Sequence, residues 1–137
     1  MASFIKNVFL LVILVLFLTM CDAGVDSTVT MTNDLGAELT VHCKSGDDDL
    51  GSHVVPVQGT YEFSFGTHAF GRTLFFCNFQ WSGNSHYFDI YIQGRDLQWC
   101  VKCKWSIRPE GPFRWNPYQK TWEPFKWNED HPKLVAP

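Results

Sequence analysis

"TLFFCNFQW", residues 73–81, decides the fold. At period two its side chains sort into Leu74, Phe76, Asn78 and Gln80 on one face and Phe75, Cys77, Phe79 and Trp81 on the other. Successive residues of a strand point to opposite sides, so this segment reads as a strand burying one face. The alternation recurs in both directions. Upstream, "AELTVHCK" (37–44) groups Leu39, Val41 and Cys43 against Thr40 and His42, and "STVTMTN" (27–33) groups Val29 with Met31. Downstream, "HYFDIYI" (86–92) sets Phe88, Ile90 and Ile92 against Tyr87, Asp89 and Tyr91. "WCVKCKWSI" (99–107) aligns Trp99, Val101, Cys103, Trp105 and Ile107. "SHVVPV" (52–57) and "TYEFSFG" (60–66) flank Gln58-Gly59, which reads as a hairpin turn. Between these segments stand "NDLGA", "SGDDDLG", "SGNS", "QGRD", "RPEGP" and "NPYQK", rich in residues that tolerate positive φ or bond their own backbone. Short alternating strands punctuated this way predict an all-β sandwich or barrel. Past Asn116 the alternation weakens, and "HPKLVAP" (131–137) predicts a flexible tail.

The first residues are of another kind. One cation, Lys6, precedes an unbroken apolar run from Val8 to Met20, and the small residues Cys21 and Ala23 follow. That order predicts a secretory signal peptide over 1–23, cleaved after Ala23. The run is short for a membrane span, which takes about 20 apolar residues, and Asp22 stands directly behind it. Residues 24–130 then form one domain, with a core small enough that covalent staples would help. Four cysteines remain in that domain, Cys43, Cys77, Cys100 and Cys103. An even count in a small exported domain predicts two disulfides.

Net charge is −3, unevenly placed. Acidic residues concentrate in the N-terminal half, whereas Lys102, Lys104, Arg108, Arg114, Lys120 and Lys126 make the 100–126 region basic. With its tryptophans that region resembles a nucleic-acid surface, but export and overall acidity favour a solvated strand face with core aromatics behind it. "HCKSGDDDLGSH" (42–53) gathers two histidines, a cysteine and three aspartates. Its adjacent carboxylates lack the alternate spacing, central glycine and closing glutamate of a calcium loop. His42 and Cys43 leave a strand on opposite faces and cannot share a metal. The expectation is a strand end, then an exposed acidic turn closed by Gly51, with no metal bound. "CVKC" (100–103) has no second ligand pair for zinc and no βαβ context for redox chemistry. Its cysteines have opposite parity, so each is expected to bridge to a different partner, one to Cys43 and one to Cys77. Neither a G-x-S-x-G, an H-E-x-x-H nor a phosphate-binding loop is present, and no cofactor or catalytic residue is expected.

"VTMTNDLGAELTVHCKSGDDDLGSH", "YEFSFGTHAFGRTLFFCNFQW", "FDIY" with "RD", and "CVKCKWSIRPEGP" resemble the plant self-incompatibility S-protein homologue family. The elements run from about Thr28 to Asn128 in the family's order. The resemblance implies a small antiparallel β-sandwich pinned by disulfides, secreted, without catalytic activity. Founding members are stigma determinants that inhibit pollen through a membrane receptor. In this chain the resemblance implies a monomeric extracellular ligand for a cell-surface protein receptor, with no nucleic-acid partner and no stable membrane insertion. A membrane-active or antimicrobial defence protein is the alternative that the basic 102–126 region supports. Family members commonly carry one cysteine after "GP" and a further one before a final W-N, where this chain has Phe113 and Pro124. Their joint absence fits a mutual pair in six-cysteine relatives. For the four that remain, the expected pairing is Cys43–Cys103 and Cys77–Cys100. The expected recognition surfaces are the turns at 46–51, 66–72, 82–86 and 108–120, with Asp47, Asp48, Asp49, Arg72, Arg108 and Arg114 as candidate binding residues.

Overall fold

The computed structural model describes residues 2–23, 26–67 and 72–129. It folds them into nine strands and two helices: α1 (Ala2–Ala23), β1 (Asp26–Asn33), β2 (Leu39–Lys44), β3 (Asp49–Val55), β4 (Thr60–Gly66) and β5 (Leu74–Trp81), followed by β6 (Asn84–Ile92), the single turn α2 (Gln93–Asp96), β7 (Lys102–Arg108), β8 (Gly111–Asn116) and β9 (Thr121–Pro124). One sheet has the order β4-β1-β7-β8-β9, the other β3-β2-β5-β6. Every pairing is antiparallel except that of β1 with β7. The antiparallel sandwich read from the sequence therefore holds one parallel seam. Parallel neighbours need a long crossover, and here the whole second sheet lies between β1 and β7 in sequence.

The inner faces are those the alternation marks. Val29 and Met31 of β1, Leu39, Val41 and Cys43 of β2, Phe75, Cys77 and Phe79 of β5, and Trp105 and Ile107 of β7 are all buried. In β6 the parity breaks. Phe75 pairs with Tyr91 but Cys77 with Phe88, so β6 carries one extra residue, a β-bulge. Beyond it Tyr91 joins Phe88 and Ile90 in the core instead of facing away.

The hairpin expected across Gln58-Gly59 is an arch between sheets. β3 pairs with β2 in one sheet, and β4 pairs with β1 in the other. Buried Asn33 fixes this corner. Its side-chain amide donates to the carbonyls of Ala37 (2.8 Å) and Val55 (3.0 Å), and its oxygen accepts the Leu35 amide. Its backbone exchanges bonds with Gln58 and Gly59. A two-residue linker joins paired strands only when no such anchor claims it.

On the opposite side, residues 125–128 cross from β9 to β6 as a strap. The Phe125 amide bonds the Pro112 carbonyl, and the Asn128 amide bonds the Tyr87 carbonyl. Gly111 makes the crossing possible. It sits at φ +148, and a Cβ there would meet the Phe125 carbonyl oxygen at 2.5 Å. In helix α1 the residues from Ile5 to Leu16 stay exposed and none of them joins the core. No described helix is long and apolar enough to cross a membrane. The cleavage point after Ala23 and the tail 131–137 border or fall outside the described residues.

Candidate functional site

The acidic stretch resolves into three parts. β2 ends at Lys44, residues 45–48 turn, and β3 begins at Asp49. Ser45 organises the turn, its hydroxyl accepting the amides of Asp47 (3.3 Å) and Asp48 (3.0 Å). Asp49 turns away from its neighbours. Its carboxylate meets His42 Nε2 at 2.5 Å and accepts the Gly51 amide at 2.9 Å. These bonds, the histidine's first, hold its carboxyl below the usual aspartate range. Gly51 lies at φ +77, the left-handed region that suits glycine. Asp47 and Asp48 stay exposed and line one cleft with Arg72. Three candidate residues thus come together, while Asp49 belongs to the hairpin itself. Of the 66–72 turn, residues 68–71 lie outside the described residues. The 82–86 turn is a tight reversal at Ser82-Gly83 with no charged side chain at its tip. Among the described residues no three His, Cys, Asp or Glu side chains are placed to hold a metal ion.

The bridges differ from the expected map. Cys43 bonds Cys77, and Cys100 bonds Cys103; the expected Cys43–Cys103 and Cys77–Cys100 pairs do not form. Cys43 and Cys77 are direct register partners of β2 and β5, with Cα atoms 4.0 Å apart. Cys103 sits on β7 in the other sheet. The parity argument against a Cys100–Cys103 bridge needs both residues on one strand, but β7 starts only at Lys102. Before it the chain coils, with the amides of Trp99 and Cys100 both bonded to the Asp96 carbonyl. That coil turns Cys100 back onto Cys103.

Arg114 is not a loop residue. It lies on β8, 3 % exposed, and its Nη1 meets Asp96 Oδ1 at 2.5 Å. Arg95 grips the same carboxylate bidentately, Nε to Oδ1 at 2.8 Å and Nη2 to Oδ2 at 2.7 Å, while the Ile92 amide donates to Oδ2 at 2.8 Å. A carboxylate with no exposed surface needs such a donor set, because an unpaired buried charge is too costly to keep. Asp96, Arg95 and Arg114 are therefore scaffold, joining α2 to β6 and β8. The sequence carries the signal as the "RD" of "QGRD" beside a cation among aromatics, yet charge alone cannot say which arginine is buried.

Arg108 is half-buried, with its guanidinium 4.0 Å from the Phe113 ring and Nε bonded to Ser106. Ser106 in turn bonds Asp34. The aromatics around it are not behind the strand face. On β8 it is Pro112, Arg114 and Asn116 that are buried, whereas Phe113 and Trp115 share the outer face with Lys102 and Lys104 of β7. Phe113 and Pro124 are register partners, facing each other across β8 and β9. Asn128 and Pro112 mark where the strap leaves this sheet.

Two sheets pinned by one cross-strand bridge and one short bridge, with buried charges committed to the framework and exposed chemistry on loops and one sheet face, define a small disulfide-stapled β-sandwich. The chain belongs to the plant self-incompatibility protein S1 family, whose model matches residues 28–127. It is similar to S-protein homolog 5 of Arabidopsis thaliana, 51% identical over 89 residues that cover 64% of this chain and 70% of that one. It is also similar to S-protein homolog 20 of the same plant, 42% identical over 120 residues, 85% of this chain and 87% of the relative. Among solved structures it resembles that of SPH (self-incompatibility protein homologue) proteins, described as a widespread family of small, highly stable, secreted proteins from plants. That likeness has a TM-score of 0.56 at 20% identity and covers 77% of this chain and 97% of the other; it bears on the fold.

Proposed function

We propose that the protein is exported, loses residues 1–23, and acts outside the cell as a non-catalytic ligand for a cell-surface protein. Export is supported by the family and by an N-terminal helix whose apolar residues from Ile5 to Leu16 find no place in the core. The single observation that carries the ligand reading is the acidic hairpin turn. Asp47 and Asp48 are held out by Ser45 beside Arg72, and no described cation pairs with either carboxylate. Fixed, exposed, unneutralised charge steers the encounter with a basic partner and selects among partners.

Proximity labelling on living plant cells with the purified protein tests this. Saturable labelling of a surface protein is expected, with a lower association rate for Asp47→Asn/Asp48→Asn and a smaller salt dependence than the parent. Labelling that does not saturate, or that survives removal of surface proteins by protease, would overturn the receptor reading.

A further inference from the structure

The outer face of the five-stranded sheet is a second exposed surface. Its layout follows from register. Thr30 pairs with Lys104, the Trp105–Arg114 pair sets Lys104 beside Trp115, and Trp115 pairs with Trp122. Hydroxyl, cation, ring and ring thus follow one another across four strands. The Trp115 and Trp122 rings stand 5.2 Å apart at 63°, and Trp122 is 39% exposed. In the turn between β8 and β9, Tyr118, 71% exposed, leans on Trp99 at 6.0 Å. Lys102 and Lys104 of β7 share this face, Lys120 closes the β8–β9 turn, and all three are exposed. Among the described residues none of the three has a carboxylate within ion-pair distance. The neighbouring carboxylates have other partners: Glu62, next to the stripe on β4, accepts from Thr30, Glu123 reaches Arg114 at 3.4 Å, and Asp34 bonds Ser106.

We propose that this face binds an acidic polysaccharide, whose sugar rings stack on Trp115 and Trp122 and whose carboxylates meet Lys102, Lys104 and Lys120. The C–H faces of a pyranose are apolar with a slight positive charge, which suits the negative face of an aromatic ring. Adjacent strands lie about 4.8 Å apart, close to the length of one sugar unit, so a glycan crossing the strands meets one side chain per unit. Charge selects the acidic class. The chain as a whole carries −3 and repels polyanions, so a cationic face is the one place where such a polymer is attracted. A protein partner is the less favoured occupant, since hot-spot anchors drop into pockets, whereas Trp115 and Trp122 stand on an open sheet face among unpaired cations. A bilayer is less favoured too, because Phe113 and Trp115 are half-sunk in the sheet and cannot insert as the apolar side of an interfacial helix does.

The test uses protein secreted by cells expressing the full chain, titrated with polygalacturonate while tryptophan fluorescence is followed. Saturable binding is expected, weakening as salt rises. Affinity should fall by about tenfold or more in Trp122→Ala. The same loss is expected for Lys102→Gln/Lys104→Gln, exposed positions outside the core, which keeps the test decisive if the tryptophan variant misfolds. Unchanged affinity in the lysine variant overturns the proposal. So does an absence of binding, equal binding of the fully methyl-esterified polymer, or equal binding of polyglutamate, oligothymidylate or anionic vesicles.

Discussion

His42 and Asp49 show how a single pair shapes the acidic hairpin. Three aspartates in a row would repel one another, but Asp49 is drawn aside by the imidazole, leaving Asp47 and Asp48 at the tip. The pKa of Asp49 is lowered in the folded chain, so the folded state holds its proton more weakly than the unfolded state. The stabilisation is accordingly complete above the unfolded aspartate value of about 4 and disappears as pH falls through the lower folded value. Both groups are partly in solvent, and the effect is small. Comparing Tm of the parent and Asp49→Asn from pH 6 to pH 2.5 should show the parent ahead at the upper end and the two curves converging in acid. Curves that run parallel throughout would show that this pair does not couple to folding. Asp96 is the opposite case, a carboxylate whose four donors make it part of the framework.

At the scale of elements the bridges divide the work unequally. Cys43–Cys77 spans a separation of 34 residues and ties the two central strands of its sheet, whereas Cys100–Cys103 closes a separation of 3. Constraining the unfolded chain scales with the logarithm of loop length, giving about 4 kcal/mol for the long bridge and about 2 kcal/mol for the short one. Thermal unfolding of Cys43→Ala/Cys77→Ala should therefore fall roughly twice as far as that of Cys100→Ala/Cys103→Ala. Equal losses, or a non-reducing peptide map that joins Cys43 to Cys103, would refute the bridge map. The sequence shows the faces of β2, β5 and β7 because alternation is local and each strand buries one side. It does not show the bulge of β6 or the arch at residues 56–59, since each is decided by a partner on another strand, nor the coil before β7, whose bonds to the Asp96 carbonyl interrupt an apparently continuous alternation. Those misses propagate to the site. Without the coil Cys100 has no route to Cys103, and without the β7–β8 register Arg114 reads as exposed and Trp115 as core. The acidic turn is legible in kind, because its Ser, Gly and Asp chemistry acts within a few residues, but it ends at Asp48 and not at Gly51, which lies inside β3.

For the whole molecule, the two sheets are closed differently on their two sides. On one side β3 passes directly into β4, so the chain itself joins the sheets. On the other, β6 and β9 are edges of separate sheets, and the strap spans them above the Asp96 cluster that links β6 to β8. Trp127 is the pin of that strap. Its ring stacks on His86 at 5.0 Å and 15° and packs against Phe79 at 5.4 Å and Trp81 at 5.7 Å, all in the four-stranded sheet. Phe125, two residues earlier, packs on Trp105 at 5.3 Å and Phe88 at 6.0 Å. Arg95 and Arg114 lie over the Phe125 ring at 5.1 Å each, so the strap also seals the Asp96 cluster from water. Removing the indole in Trp127→Ala strips three aromatic contacts from a half-buried position. The expected cost is about 2 kcal/mol, below that of a fully buried tryptophan, and for a domain of this size it lowers Tm by roughly 10 °C. Hydrogen exchange separates this from a general weakening. In the variant the amides of β6 and β9 should lose protection first, while those of β1 and β2 on the covalently joined side keep theirs. Uniform loss across all strands would mean that the sandwich opens as one unit and that the strap is only a cover.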